Sequence, residues 1–185
     1  MPIGKIPSST TELNFKTVWN QMSPDVKGAF IGTPEKVKLT EGFLLFKFTE
    51  FHLENRARKI TEWWSPVEAY GIDPGLGSRL ALAHHLRVNA ADLTRVIAAV
   101  REDWNALTYI LQAQITAPVY GFWGQCKMQV RRTKDAQGQD LRARPDTIVG
   151  PKTANLPGYA WQFYIPNLTT AHIREVSRIP VAPPL

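Results

Sequence analysis

The chain has 185 residues, 44% apolar and 21% charged, with 22 Lys and Arg against 16 Asp and Glu. That composition describes one globular domain with a sizeable core, and its net charge of +6 suits an anionic partner such as nucleic acid, a phosphate-bearing cofactor or an acidic protein. A single cysteine, Cys126, excludes an intrachain disulfide and a Cys-rich zinc site, and no apolar run reaches the length of a membrane-spanning helix.

Fourteen prolines and twelve glycines predict many short elements joined by loops, and six tryptophans are enough to fill a core and line a groove. Residues 1–11 are rich in Pro, Ser and Thr and read as a flexible extended tail. They hold one lysine and no apolar segment of the kind a cleavable signal peptide needs. The expectation is a soluble protein, either cytoplasmic or exported by another route.

From Glu12 to Met22 the apolar positions Phe15, Val18, Trp19 and Met22 recur at helical spacing, and Ser23-Pro24 marks an end. Gly32-Thr33-Pro34 is a turn, and Val37 to Phe51 gives two short apolar stretches separated by Thr40-Glu41-Gly42. In the second, Leu44, Phe46 and Phe48 share one face of a strand while Leu45, Lys47 and Thr49 share the other. Lys47 is there either a solvated lysine or a cationic ligand for phosphate.

Glu50 to Lys59 is a charged loop or exposed hairpin arm, followed by Ile60-Thr61-Glu62-Trp63-Trp64-Ser65-Pro66. In an extended backbone adjacent tryptophans point to opposite faces, so one is buried while the other faces a cleft. Tyr70 to Gly77 is glycine-rich but matches neither the dinucleotide-binding fingerprint nor the P-loop. Leu76 to Val88 reads as a helix, with His84 and His85 near its end and no partner at metal spacing.

Asn89 to Gln112 reads as the main helix, capped by Asn89, with an apolar stripe of Leu93, Val96, Ile97, Val100, Trp104, Leu107 and Leu111. Val119 to Val130 is a strand interrupted by Gly121 and Gly124, a sign of a bulge or a close backbone approach. The segment 131–144 carries Arg131, Arg132, Lys134, Arg142 and Arg144 and reads as a basic loop able to meet a nucleic-acid backbone or an acidic surface. Asp146 to Val149 is a further short strand.

After a Pro-broken loop from Gly150 to Gly158 comes the aromatic strand Tyr159 to Ile165, with Gln162 its only amide. Alone, it reads either as an edge strand with one polar face or as a rigid element presenting Gln162 to a ligand. Residues 180–185 form a second, Pro-rich tail. Together these elements predict an α+β fold: one domain over 1–185, with twisted, mostly antiparallel sheets packed against a long central helix.

Three stretches, in order, resemble the ADP-ribosyltransferase superfamily, especially its small bacterial toxin-type domains. Leu39 to Phe48 (LTEGFLLFKF) is similar to the first core strand, which carries an arginine that holds NAD. Ile60 to Pro66 (ITEWWSP) resembles the strand whose aromatic and hydroxyl residues contact the nicotinamide side. Leu156 to Asn167 (LPGYAWQFYIPN) resembles the loop and strand that present the catalytic glutamate. The resemblance covers about a third of the chain.

Carried over, it implies an ADP-ribosyltransferase-like fold and a glycosyltransferase chemistry on NAD. Lys47 matches the NAD-holding arginine, and Trp63, Trp64 and Ser65 match the polar and aromatic support. Tyr159 and Trp161 supply further contacts to the cofactor. Gln162 matches the catalytic glutamate, and Glu62 stands as the nearby acid, ahead of Glu50 and Glu54. Two positions depart from the pattern. Lysine lacks the guanidinium fork, and an amide gives less help than a carboxylate to positive charge developing at the ribose.

Three accounts follow. The first is a toxin or effector domain that transfers ADP-ribose to a macromolecular acceptor, or cleaves NAD, and has a protein acceptor or inhibitor protein as partner. The second is a non-catalytic binding or structural module that uses an aromatic groove and the basic loop. The third is a nucleic-acid-binding protein acting through Arg131, Arg132, Arg142 and Arg144. The enzyme account predicts one cleft holding Lys47, Ser65 and Gln162 with a carboxylate at hand. A binding module leaves these residues apart or fills the cleft with tryptophan.

Overall fold

The computed structural model describes residues 12–55, 57–100, 105–130 and 155–181. Its frame is a seven-stranded, wholly antiparallel sheet built from β1 (Glu35–Leu39), β2 (Leu44–Thr49), β3 (Trp63–Pro66), β4 (Tyr109–Ile115), β5 (Val119–Gln125), β8 (Trp161–Tyr164) and β9 (Ile173–Pro180). Across the sheet the order is β1-β5-β8-β3-β2-β4-β9. A separate two-stranded ribbon joins β6 (Gln129–Val130) to β7 (Asn155–Leu156). Three short α-helices, α1 (Pro24–Gly28), α2 (Gly75–His85) and α3 (Ala90–Ile97), and one 3-10 turn, Trp19–Gln21, complete the described elements. None is long and apolar enough to cross a membrane.

Strand alternation divides the apolar residues between two cores. On one face Leu45, Trp64, Leu111, Ile115, Trp123, Phe163 and Ile173 form one buried cluster. These residues come from both halves of the sheet, so the sheet closes upon that cluster. On the other face Phe46, Phe48 and Ile110 pack with Leu76 of α2 and with Leu107. β8 is a central strand, between β5 and β3, and not an edge. The run Trp161–Tyr164 is therefore hydrogen-bonded along both edges of its backbone; Phe163 is buried, while Trp161, Gln162 and Tyr164 are half-buried.

The long helix expected over Asn89 to Gln112 is not formed. Asn89 does cap α3, accepting the Ala91 N–H at 2.7 Å, but the helix ends at Ile97. Ala99 takes a left-handed φ of 52°, and the Val100 N–H turns back to the Arg95 carbonyl, the arrangement that closes helix C-termini. Leu107 is again left-handed, with φ of 55°, and Tyr109 opens β4. Thus Leu107 and Leu111 belong to two different cores rather than one helical stripe.

The helix expected from Glu12 to Met22 is also absent. Asn14 is left-handed, with φ of 62°, and its side-chain amide donates to the Tyr120 and Pro166 carbonyls. Only a single 3-10 turn, Trp19–Gln21, forms there. Ser23-Pro24 starts a helix instead of ending one: Ser23 Oγ accepts the Val26 N–H, and Pro24 sits in the first turn of α1, where its missing N–H costs nothing.

β9 extends into the segment 180–185 that the sequence reads as a tail, of which 182–185 lie outside the described residues. Pro180 still pairs with Tyr109, and the Val181 N–H bonds the Thr108 carbonyl. The strand expected over Asp146 to Val149 and the basic segment 131–144 lie outside the described residues.

Candidate functional site

On the face that carries Phe46, a row of residues crosses four neighbouring strands. Phe46 of β2 is paired with Ser65 of β3, Gln162 of β8 donates its amide proton to Ser65 Oγ at 3.4 Å, and Gln162 is paired with Gly124 of β5. The row forms the floor of a cleft of about 730 Å³, within the range of small-molecule sites, about 300–1,000 Å³. Its walls include α1 with the following Ala29, Thr94 and the end of α3, Trp63 and Arg79.

Glycine at 124 is needed here. A Cβ at that position would stand 2.6 Å from the Phe30 ring and 2.8 Å from Pro34. Phe30 in turn packs against Trp63, with ring centroids 5.1 Å apart. The missing side chain thus lets the segment after α1 close over the sheet. Backbone bonds fix that segment, from Ile31 N–H to the Gln125 carbonyl and from Lys127 N–H to the Ala29 carbonyl.

Gln162 is held at both ends of its amide. Cys126 Sγ donates to Gln162 Oε1 at 3.1 Å, while Gln162 Nε2 donates to Ser65 Oγ. Because Ser65 Oγ accepts that bond, its own proton is left to donate elsewhere. Burial pushes the Cys126 thiol up to about 12, so the sulfur stays protonated and acts as a donor. The chain Cys126 to Gln162 to Ser65 therefore has one direction.

Lys47 also borders the cleft, but its side chain leaves β2 on the face opposite Phe46 and Ser65. Its ammonium donates to Thr61 Oγ1 and lies 4.2 Å from the Trp64 ring centroid. Burial lowers its pKa to about 8, against the raising effect of Glu62. The Lys47 ammonium is thus bound to Thr61 and stacked on Trp64 rather than joined to the Ser65–Gln162 pair.

The other expected site residues are distributed as follows. Trp63 lines the cleft, whereas Trp64 is fully buried in the opposite core. Trp161 packs against that same core beside Trp123, its indole N–H buried and without an acceptor among the described residues. Tyr159 is 63% exposed and does not line the cleft among the described residues. Glu62 acts electrostatically on Lys47 and Tyr164 but is not among the described lining residues. Arg131, Arg132, Arg142 and Arg144 lie outside the described residues.

Three lining residues, Asp25, Arg79 and Lys127, carry charge that the sequence reading did not single out. Asp25 stands on α1, exposed at the cleft wall. Arg79 of α2 is 5% exposed and bonds Asp73 Oδ2 at 3.2 Å. The available signal for Arg79 was its isolation, as the single cation in the apolar run from Leu76 to Ala83. Among the described residues no group of His, Cys, Asp and Glu is arranged to hold a metal ion. Comparison of the chain with known protein families, with curated proteins and with solved structures finds no match.

Proposed function

We propose that the cleft binds NAD and that the chain is an ADP-ribosyltransferase-like effector or toxin domain, passing ADP-ribose to a macromolecular acceptor or to water. One observation carries this reading. The three stretches that resemble the superfamily, far apart in the chain, lie on β2, β3 and β8, and these strands are consecutive neighbours in the sheet. Two of the residues carried over, Ser65 and Gln162, are hydrogen-bonded on the floor of a cleft of suitable size.

The residues present fit a planar, partly polar ligand. Half-buried Trp63 gives the cleft an aromatic wall against which a nicotinamide or adenine ring can lie, and Phe46 and Phe48 form buried apolar lining beneath it. Ser65 offers its hydroxyl proton to the ligand, and Gln162 fixes the direction of that hydroxyl. NAD supplies the bond that breaks, between ribose and nicotinamide, and the acceptor's proton is released as its oxygen or nitrogen takes the ribose. The chain's own contribution is to orient the dinucleotide and to shield that bond from bulk water.

A second reading, NAD binding without turnover, is favoured by the amide at position 162. It is neutral, and both of its ends are already bonded within the protein. Calorimetry with NAD, combined with nicotinamide release followed in the same samples, separates the two. Binding with release, both diminished in Ser65→Ala and Gln162→Ala, supports the transferase-like reading. Binding without release supports the second, and no binding at millimolar NAD overturns both.

A further inference from the structure

We propose that Arg79 is the anion subsite of the cleft and takes a phosphate or pyrophosphate group of the bound ligand. The inference rests on the reading of the cleft as a dinucleotide site and names the residue that holds the ligand's charge. Arg79 lines the cleft and is itself 5% exposed. Its guanidinium lies against the Phe46 ring, 5.0 Å from the centroid, and Phe46 belongs to the same floor as Ser65. A contact between the cation and a ring face uses none of its N–H donors.

A guanidinium carries five such donors. Among the described residues Asp73 is its hydrogen-bond partner, through Nη2. The other oxygen of Asp73 is engaged elsewhere, accepting the Gly75 N–H at 2.8 Å. Asp73 thereby anchors Arg79 in one orientation without using its full donor capacity. A structural ion pair alone would not require the arginine to border a cavity. The planar fork of arginine also suits phosphate oxygens better than the single ammonium of a lysine.

The placement accounts for the position of Lys47. The cation carried on β2 leaves the strand on the face away from Ser65, and the cation that reaches the Ser65 face comes from α2. Lys127, exposed at the wall, adds positive charge near the entrance, against a single lining carboxylate, Asp25. The described lining therefore favours an anionic ligand, with its charge directed toward Arg79.

The test uses the full chain and three probes: inorganic pyrophosphate, NAD, and nicotinamide riboside, which carries no phosphate. Binding is measured by calorimetry for the wild type, for Arg79→Lys and for the double variant Asp73→Asn/Arg79→Gln. The double variant leaves no unpaired buried charge. The Nε–H resonance of Arg79 is followed by NMR in the wild type as pyrophosphate is added. The expected result is that the resonance shifts, and that both variants bind pyrophosphate and NAD on the order of 10- to 100-fold more weakly with nicotinamide riboside unchanged.

An unmoved Arg79 resonance, or variants that bind pyrophosphate as the wild type does, overturns the subsite. If NAD binds the wild type and the variants alike, the dinucleotide reading stands and the subsite falls. If pyrophosphate binds through Arg79 but NAD does not bind, the subsite stands and the dinucleotide reading falls. Should the double variant fail to fold, the wild-type resonance decides.

Discussion

Gln162 donates its amide proton to Ser65 across the β8–β3 boundary, at 3.4 Å, while its carbonyl oxygen accepts the thiol proton of Cys126 at 3.1 Å. Both flanking groups carry a proton that a carboxylate at position 162 would accept. Gln162→Glu therefore places a hydrogen-bonded acid on the cleft floor with little change of shape. Under the transferase-like reading, such an acid stabilises the positive charge that grows on the ribose. The expected outcome is a rise in nicotinamide release on the order of 10- to 100-fold, with NAD affinity kept. Intact NAD binding with no gain in release would show that the amide is not what limits turnover.

Lys47 makes the fold pH-dependent in a direction opposite to that of a paired lysine. Its pKa is about 8 in the folded chain, against an ordinary value of 10.5. Between those values the unfolded chain holds a proton that the folded one has released, so stability rises with pH across that window. Below pH 8 both states are charged, and the folded state bears the full cost of burying the ammonium. Lys47→Met should therefore be at least as stable as the wild type at pH 7, and its relative advantage should shrink as pH climbs toward 10.5. Urea unfolding of both proteins at pH 7 and pH 10 measures this. A difference that stays constant or widens with pH would contradict the assignment.

The strands were legible where one face differed from the other. Leu44 to Phe48 alternates between two cores as its pattern indicates, and Trp63 and Trp64 part to opposite faces. The long helix failed because its end has no signal. The left-handed residue that closes α3 is Ala99, where a glycine or asparagine would have announced the stop. β4 does alternate, with buried Leu111, Ala113 and Ile115 separated by half-buried Gln112 and Gln114, but Val100, Trp104, Leu107 and Leu111 also fit a helical period, which masks it. The strands that bring Ser65 and Gln162 to the cleft are legible because they carry recognisable aromatic runs. The place of Arg79 at the cleft is not legible because it depends on α2 packing against the sheet, a relation between elements that no local pattern encodes.

Cys126 should be nearly inert in the folded protein. It is 4% exposed, and burial raises its thiol to about 12 from an ordinary value of 9.0. The nucleophile in thiol exchange is the thiolate, and both its fraction at pH 8 and its access are low here. Reaction with an aromatic disulfide reagent at pH 8 should be slower than in the denatured chain by roughly two orders of magnitude or more. One equivalent should then react promptly in guanidinium chloride. Fast native reaction, unchanged by denaturant, would mean that the cleft opens to solvent beside Gln162.

Gly124→Ala tests whether the closing of the α1 segment over the sheet depends on the absent side chain. The added carbon would meet two atoms of the Phe30 ring at 2.6 and 2.9 Å and Pro34 at 2.8 Å. Pro34 is rigid, and Phe30 is 3% exposed and packed against both Trp19 and Trp63, so neither can yield without moving the cleft wall. Overpacking of this kind costs about 1–3 kcal/mol, readable as a lower urea midpoint. Displacement of Phe30 would also shift Trp63 beside Ser65, so under the dinucleotide reading NAD affinity should fall in the same variant, while the distant β4–β9 pairing keeps its amide protection. A variant as stable as the wild type, with unchanged tryptophan fluorescence, would show that Phe30 and Pro34 have room that this packing does not provide.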